Sequence, residues 1–211
     1  MKKIDTSLYF ITDSTGFEEE EFFSRVEKAL SGGVTIMQLR EKHRTTREYL
    51  DLAERVHEIA QRYNVPLIID DRLDVAMAVK AEGVHLGQSD MPVDTARRIA
   101  GGSMIIGATT KTVEQALEAE KNGADYLGVG AIYPTTTKVR TVLTSTDTLK
   151  GICRSVSIPV SAIGGLNKDN CNVLENTGIS GICVVSAIMK SPDPRKAAEE
   201  LKEISLRLIN S

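Results

Sequence analysis

Short apolar and β-branched runs alternate along the whole chain with longer segments in which apolar residues recur every three or four positions. The short runs are Leu8–Thr12, Thr35–Arg40, Pro66–Asp70, Gly83–Gly87, Met104–Ala108, Tyr126–Gly130, Pro159–Ile163 and Gly181–Val185. Each has the length of a strand, and consecutive starts lie roughly 17 to 33 residues apart, about one strand–helix unit. Between them, Glu18–Ser31 places Phe22, Val26 and Leu30 on one helical face, and Thr46–Tyr63 does the same with Leu52, Val56 and Ile59. Thr112–Asn122 stops at Gly123, a C-terminal cap signal. The last helix opens at Asp193-Pro194, an N-cap followed by a first-turn proline, with Ala197, Leu201, Ile204 and Leu208 as its expected buried stripe.

Several helices exit through glycine just before a strand, at Gly32-Gly33, Gly83, Gly123 and Gly178. Eight strands in this rhythm predict a closed parallel barrel, a single-domain (β/α)8 TIM barrel over residues 1–211. A doubly wound open sheet, the rival α/β architecture, typically needs fewer strands. No linker, charge block or low-complexity stretch divides the chain.

Composition narrows the function classes. With 26 Lys and Arg against 29 Asp and Glu, the net charge of −3 argues against nucleic acid or a membrane surface as partner. No apolar run reaches the length of a membrane span, and the N-terminal MKKIDTSLYFITDS runs straight into a strand pattern rather than a signal peptide. Cys153, Cys171 and Cys183 match neither a zinc site nor a redox pair, which makes a cytoplasmic setting with reduced thiols the simplest expectation.

Chemistry in such a barrel sits at the C-terminal ends of the strands. The second strand ends Gln38-Leu39-Arg40-Glu41-Lys42, and alternation puts Gln38, Arg40 and Lys42 on one face. Arginine offers a planar fork to phosphate oxygens, lysine a compact charge. The alternative is a solvated charge pair. The third strand ends Asp70-Asp71, and the fourth leads into Gly87-Gln88-Ser89-Asp90. Asp71 and Asp90 are candidate Mg²⁺ ligands, since Mg²⁺ takes one or two carboxylates plus substrate phosphate oxygens; the plain alternative is that each caps a helix. His85 reads first as a satisfied core histidine. Thr109 either donates to a phosphate or caps the next helix. About 15 residues separate the sixth strand from its helix, among them Thr135-Thr136-Thr137-Lys138, a long basic loop suited to an anion. The seventh strand ends in Gly164-Gly165 and the eighth in Val185-Ser186, the usual phosphate position of these barrels. Two anion stations result: one for a monophosphate, one for a metal-bound diphosphate.

Taken together, Gln38–Lys42, Gly83–Asp90, Gly123–Gly130, Pro134–Lys138, Ala162–Gly165 and Val185–Ile188 resemble the thiamine-phosphate synthase family, in order and over nearly the whole chain. The resemblance implies Mg²⁺-dependent coupling of 4-amino-2-methyl-5-(diphosphooxymethyl)pyrimidine with a thiazole phosphate, giving thiamine phosphate and diphosphate. It implies that Gln38, Leu39, Arg40, Glu41, Lys42, Asp70, Thr109 and Lys138 hold the pyrimidine diphosphate, with Arg40, Lys42 and Lys138 acting in catalysis. It also implies Asp71 and Asp90 as metal ligands and Thr135, Thr136, Thr137, Gly165, Val185 and Ser186 on the thiazole phosphate. The partners are then small molecules, and a homodimer is a family-level expectation. The chain departs from the family pattern at three places. Asp70 stands where Asn is usual, Thr109 where Ser is common, and Val139–Thr144 replaces the familiar sequence after the lysine. An extra carboxylate beside a diphosphate is unfavourable unless it is protonated or helps hold the metal. The alternatives are a thiazole tautomerase of the same fold and a non-catalytic regulator that binds phosphorylated ligands.

Overall fold

The computed structural model describes residues 4–135 and 142–211. In chain order the elements are β1 (Leu8–Ile11), α1 (Glu19–Ser31), β2 (Ile36–Leu39), α2 (Thr46–Arg62), β3 (Leu67–Asp70), α3 (Leu73–Ala78), β4 (Gly83–Leu86), α4 (Val93–Ala100), β5 (Ile105–Thr110), α5 (Val113–Lys121), β6 (Tyr126–Gly130), α6 (Thr146–Ser155), β7 (Val160–Ile163), β8 (Gly181–Val184), α7 (Ser186–Met189) and α8 (Pro194–Ile209). A single 3-10 turn, Cys171–Leu174, follows β7 where a full helix would otherwise stand. All strands pair in parallel with their sequence neighbours, and β1 pairs with β8 to close the barrel.

Strand alternation sorts side chains into two layers. Leu8, Phe10, Met37, Leu39, Leu67, Ile69, Val84, Leu86, Ile106, Leu127 and Val129 face outward and pack beneath the helices. Tyr9, Ile11, Ile36, Ile68, Ile105, Tyr126 and Cys183 form a separate cluster inside the barrel. The expected strands are all present, most of them a residue or two shorter. β5 instead runs on to Thr110, because Thr109 and Thr110 stay in register with Gly128 and Val129.

Helix ends follow the local chemistry. Thr45 and Glu48 close a reciprocal capping box at the start of α2. Asp193 accepts from the Lys196 N–H ahead of Pro194. The expected stripe on α8 is rotated. Ala198, Leu201, Ser205 and Leu208 are buried, while Ala197 and Ile204 are half-buried at its margin. The cause is a polar anchor: the Ser205 hydroxyl donates to the Ser7 carbonyl ahead of β1, turning that side inward.

Candidate active site

β2, β3 and β4 bring five charged side chains to one side of the barrel mouth. Arg40 Nε lies 3.9 Å from Asp70 Oδ2, and Lys42 Nζ lies 2.7 Å from the same oxygen. Lys42 also forms an ion pair and hydrogen bond with Asp71. Asp71 in turn stands close enough to Asp90 for the two carboxyls to shift each other's protonation, Asp71 downward and Asp90 upward. The alternation that placed Gln38, Arg40 and Lys42 on one face therefore holds, although Gln38 is enclosed within the barrel.

The carboxylates divide into distinct states. Burial, then the charge of Asp71, pushes the Asp70 carboxyl up to about 6 against the opposing pull of Lys42 and Arg40. For Asp71, burial acts upward, but hydrogen bonds from Lys42 and Asp90 and the Lys42 charge outweigh it and hold the group below its usual range. Asp90 is raised by burial and by its contact with Asp71, while the Gly87 N–H, 2.7 Å from Asp90 Oδ2, pulls the other way. Two carboxyls in hydrogen-bond contact coexist by sharing a proton or a cation. Lys42 remains charged because Asp70 and Asp71 outweigh the effect of its own burial.

Asp71 has a φ of 60°, uncommon outside glycine, and its N–H donates to the His85 carbonyl at 2.9 Å. That turn swings its carboxylate away from β3 and toward Asp90. Neither Asp71 nor Asp90 caps a helix: Arg72 and Pro92 precede α3 and α4, without a side-chain cap. Thr109 is no cap either, since Thr112 fills that position for α5. Instead Thr109 Oγ1 lies 2.8 Å from His85 Nε2, and His85 Nδ1 lies 3.0 Å from the Tyr126 hydroxyl. His85 is thus buried and satisfied at both nitrogens.

Other expected residues are placed as follows. Leu39 packs outward under the helices, so its side chain is not at the mouth, and its carbonyl accepts from the Tyr49 hydroxyl at 2.8 Å. Glu41 Oε2 accepts from Ser14 at 3.0 Å and pairs with Arg44 at 3.2 Å. On the opposite side of the mouth, Gly164 and Gly165 have φ of 105° and 63°. A Cβ on Gly165 would lie 2.7 Å from the Pro134 carbonyl oxygen, so β6 and β7 exits are pressed together there. Val185 is half-buried against the inner cluster and Ser186 opens α7 at the surface. Thr135 follows that junction. Thr136, Thr137 and Lys138 lie outside the described residues. The loop's described far end returns through Thr144 N–H on the Ala131 carbonyl at 2.8 Å and Lys111 Nζ on the Val142 carbonyl at 2.9 Å.

Ser186 also lines a cleft of about 440 Å³ between Asn167–Asp169 and the start of α8. The cleft stands apart from the carboxylates of β3 and β4. Among the described residues no group of three or more His, Cys, Asp or Glu is placed to hold a metal, and no helix is long and apolar enough to cross a membrane. An Mg²⁺ site completed by substrate oxygens needs only the Asp71–Asp90 pair. The three cysteines are free; burial pushes the Cys153 and Cys171 thiols up to about 11 and Cys183 further in the same direction.

Sequence reasoning missed Tyr9 and Tyr126, whose hydroxyls meet at 2.7 Å inside the barrel. The available signal was period-two alternation, which puts both on the inward face beside Gly107 and Gly128.

Residues 8–188 match a family model described as thiamine monophosphate synthase. The chain is 53% identical over 186 residues to thiamine-phosphate synthase 2 of Streptococcus pneumoniae serotype 4, covering 88% of this chain and 89% of that protein. It is 47% identical to thiamine-phosphate synthase of Methanobrevibacter smithii, over 95% of this chain and 96% of that one. Among solved structures, thiamine phosphate pyrophosphorylase from Pyrococcus furiosus superposes with a TM-score of 0.88 at 43% identity, covering 98% of both chains. A 3-hexulose-6-phosphate synthase, at TM-score 0.72 and 16% identity over 93% of this chain and 98% of that one, shares the fold alone.

Proposed function

The chain belongs to the thiamine monophosphate synthase family, and we infer from that premise that it joins a pyrimidinylmethyl diphosphate to a thiazole phosphate, releasing diphosphate. One observation carries the reading: Arg40, Lys42, Asp71 and Asp90 converge at the ends of β2, β3 and β4. Two cations and a pair of neighbouring carboxyls form a receptor for a diphosphate and a divalent cation together. A tautomerase acting on the thiazole phosphate alone has no use for such a receptor.

The donor set fits Mg²⁺. Asp71 and Asp90 are hard oxygen ligands of the kind Mg²⁺ takes beside substrate phosphate oxygens. When bound, Mg²⁺ supplies positive charge to the leaving diphosphate.

The chain's own groups do the rest. Arg40 and Lys42 bind the diphosphate and stabilise the negative charge that grows as the C–O bond breaks. Lys138 adds a third cation from the loop after β6. The pyrimidine amino group feeds electrons into the methylene carbon as diphosphate leaves with the C–O bonding pair, and the thiazole nitrogen captures that carbon. Gln38 and Thr109 orient the pyrimidine diphosphate, with Glu41 and Asp70 forming its surroundings. Thr135, Thr136, Thr137, Gly165, Val185 and Ser186 hold the thiazole phosphate on the far side. No protein nucleophile or strong base enters the scheme. The setting is the cytoplasm, and the working unit is a homodimer.

Turnover of both substrates in the wild type and in Asp71→Ala tests the assignment. The substitution should abolish Mg²⁺-dependent turnover and leave thiazole phosphate affinity within about twofold, since removing a metal ligand acts at one station only. Turnover that survives would remove Asp71 from the metal site.

A further inference from the structure

Gln38 on β2 and Thr109 on β5 are joined through the barrel interior by three buried side chains. Gln38 Nε2 donates to the Tyr9 hydroxyl at 2.7 Å. The Tyr9 and Tyr126 hydroxyls are 2.7 Å apart. Tyr126 Oη lies 3.0 Å from His85 Nδ1, and His85 Nε2 lies 2.8 Å from Thr109 Oγ1. Tyr9, Gln38 and Tyr126 are at most 1% exposed, and His85 is 8% exposed.

Proton counting gives this chain a direction. A neutral phenol or hydroxyl has one proton to give, and a neutral imidazole donates from one nitrogen and accepts at the other. Tyr9 accepts from Gln38, so its own proton passes to Tyr126. Tyr126 then gives its proton to His85 Nδ1. A neutral His85 then carries its proton on Nε2 and donates to Thr109. Thr109, already an acceptor, has its hydroxyl proton free for the mouth. Burial keeps both tyrosines in the donor form, since it pushes their phenols well above the usual range.

The sequence makes room for this arrangement. A Cβ on Gly107 would lie 2.2 Å from Tyr126 Cζ and 2.5 Å from His85 Nδ1. One on Gly128 would lie 3.3 Å from His85 Cε1. Inward-facing glycines on β5 and β6 therefore hold open the space that the tyrosine and histidine rings occupy.

We propose that Tyr9 and Tyr126 are positioning residues that act through His85 to fix the Thr109 hydroxyl as a hydrogen-bond donor toward the substrate diphosphate. With the chain reversed, Thr109 would spend its proton on His85 and offer an anion only lone pairs. The proposal rests on the assignment of the diphosphate to this side of the mouth. It deepens that assignment by making the affinity of the anion site depend on hydroxyls deep in the barrel.

Two readouts test it, neither of which requires turnover. The first is nitrogen-15 NMR of the wild type, with the His85 signals assigned by their loss in His85→Gln; the chain has three histidines. The Nε2–H tautomer is expected, and the Nδ1–H tautomer would overturn the polarity. The second is calorimetric binding of inorganic diphosphate with Mg²⁺. Tyr126→Phe keeps the ring and should weaken diphosphate binding about tenfold, the scale of one lost hydrogen bond to a charged group, with inorganic phosphate binding opposite unchanged. Thr109→Val should cost as much, and the double variant no more than either, because the residues act in series. Multiplying losses, or equal loss of both anions, would reduce Tyr126 to a structural role. A wild type that binds diphosphate in this way but makes no thiamine phosphate would count against the proposed function and leave the relay standing.

Discussion

Burial and the neighbouring Asp71 push Asp70 up to about 6, although Lys42 Nζ is 2.7 Å away and Arg40 Nε 3.9 Å away. The desolvation of a carboxylate at the end of a buried strand thus exceeds the attraction of two partly exposed cations. The sign of its linkage to stability follows. The folded state holds a proton that the unfolded chain releases near pH 4, so this stabilisation is complete below that pH and is lost as pH rises through about 6. Asp70→Asn in metal-free protein should therefore be more stable than wild type at pH 8, by on the order of 1–3 kcal/mol, and nearly equal at pH 4. Urea midpoints across that range measure it. A variant less stable at pH 8 would mean that the cations outweigh burial. The replacement of the family's usual Asn was legible in the sequence. Its consequence was not, because desolvation depends on how deeply the β3 end sits.

Among elements, the exits of β6 and β7 are pressed together. Gly165, with φ of 63°, leaves no space for a Cβ between Tyr133 and Pro134. Gly165→Ala should cost about 1–3 kcal/mol through the left-handed backbone and the clash, and should raise KM for thiazole phosphate more than for the pyrimidine diphosphate. Thermal unfolding and the two KM values decide it; equal KM changes would separate Gly165 from the thiazole side. Strands, helices and their order could be read from periodicity because each element buries one face. The α8 stripe could not, since Ser205 is turned inward by the Ser7 carbonyl, a contact formed between the two ends of the chain. The relay through Tyr9 and Tyr126 escaped for the same reason: its members lie on β1, β2, β4, β5 and β6, and only closure of the barrel brings them together.

At the scale of the whole molecule, closure puts two chemically different stations on one rim. The β2–β4 side gathers Arg40, Lys42, Asp70, Asp71 and Asp90, whereas the β6–β8 side offers Gly164-Gly165 and the start of α7. The charged residues of the first station stand together in the sequence at strand ends, which is why they could be found there. What the sequence did not disclose is that Lys42 pairs with both Asp70 and Asp71, the latter reaching it from a left-handed backbone. The asymmetry of the rim is the basis for a coupling reaction in which one substrate loses diphosphate and the other keeps its phosphate. The most direct measurement supplies the pyrimidine diphosphate, the thiazole phosphate and Mg²⁺ to the purified chain and quantifies thiamine phosphate and free diphosphate together. The two should appear in equal amounts, only when both substrates and Mg²⁺ are present. The absence of thiamine phosphate at every Mg²⁺ concentration would contradict the account.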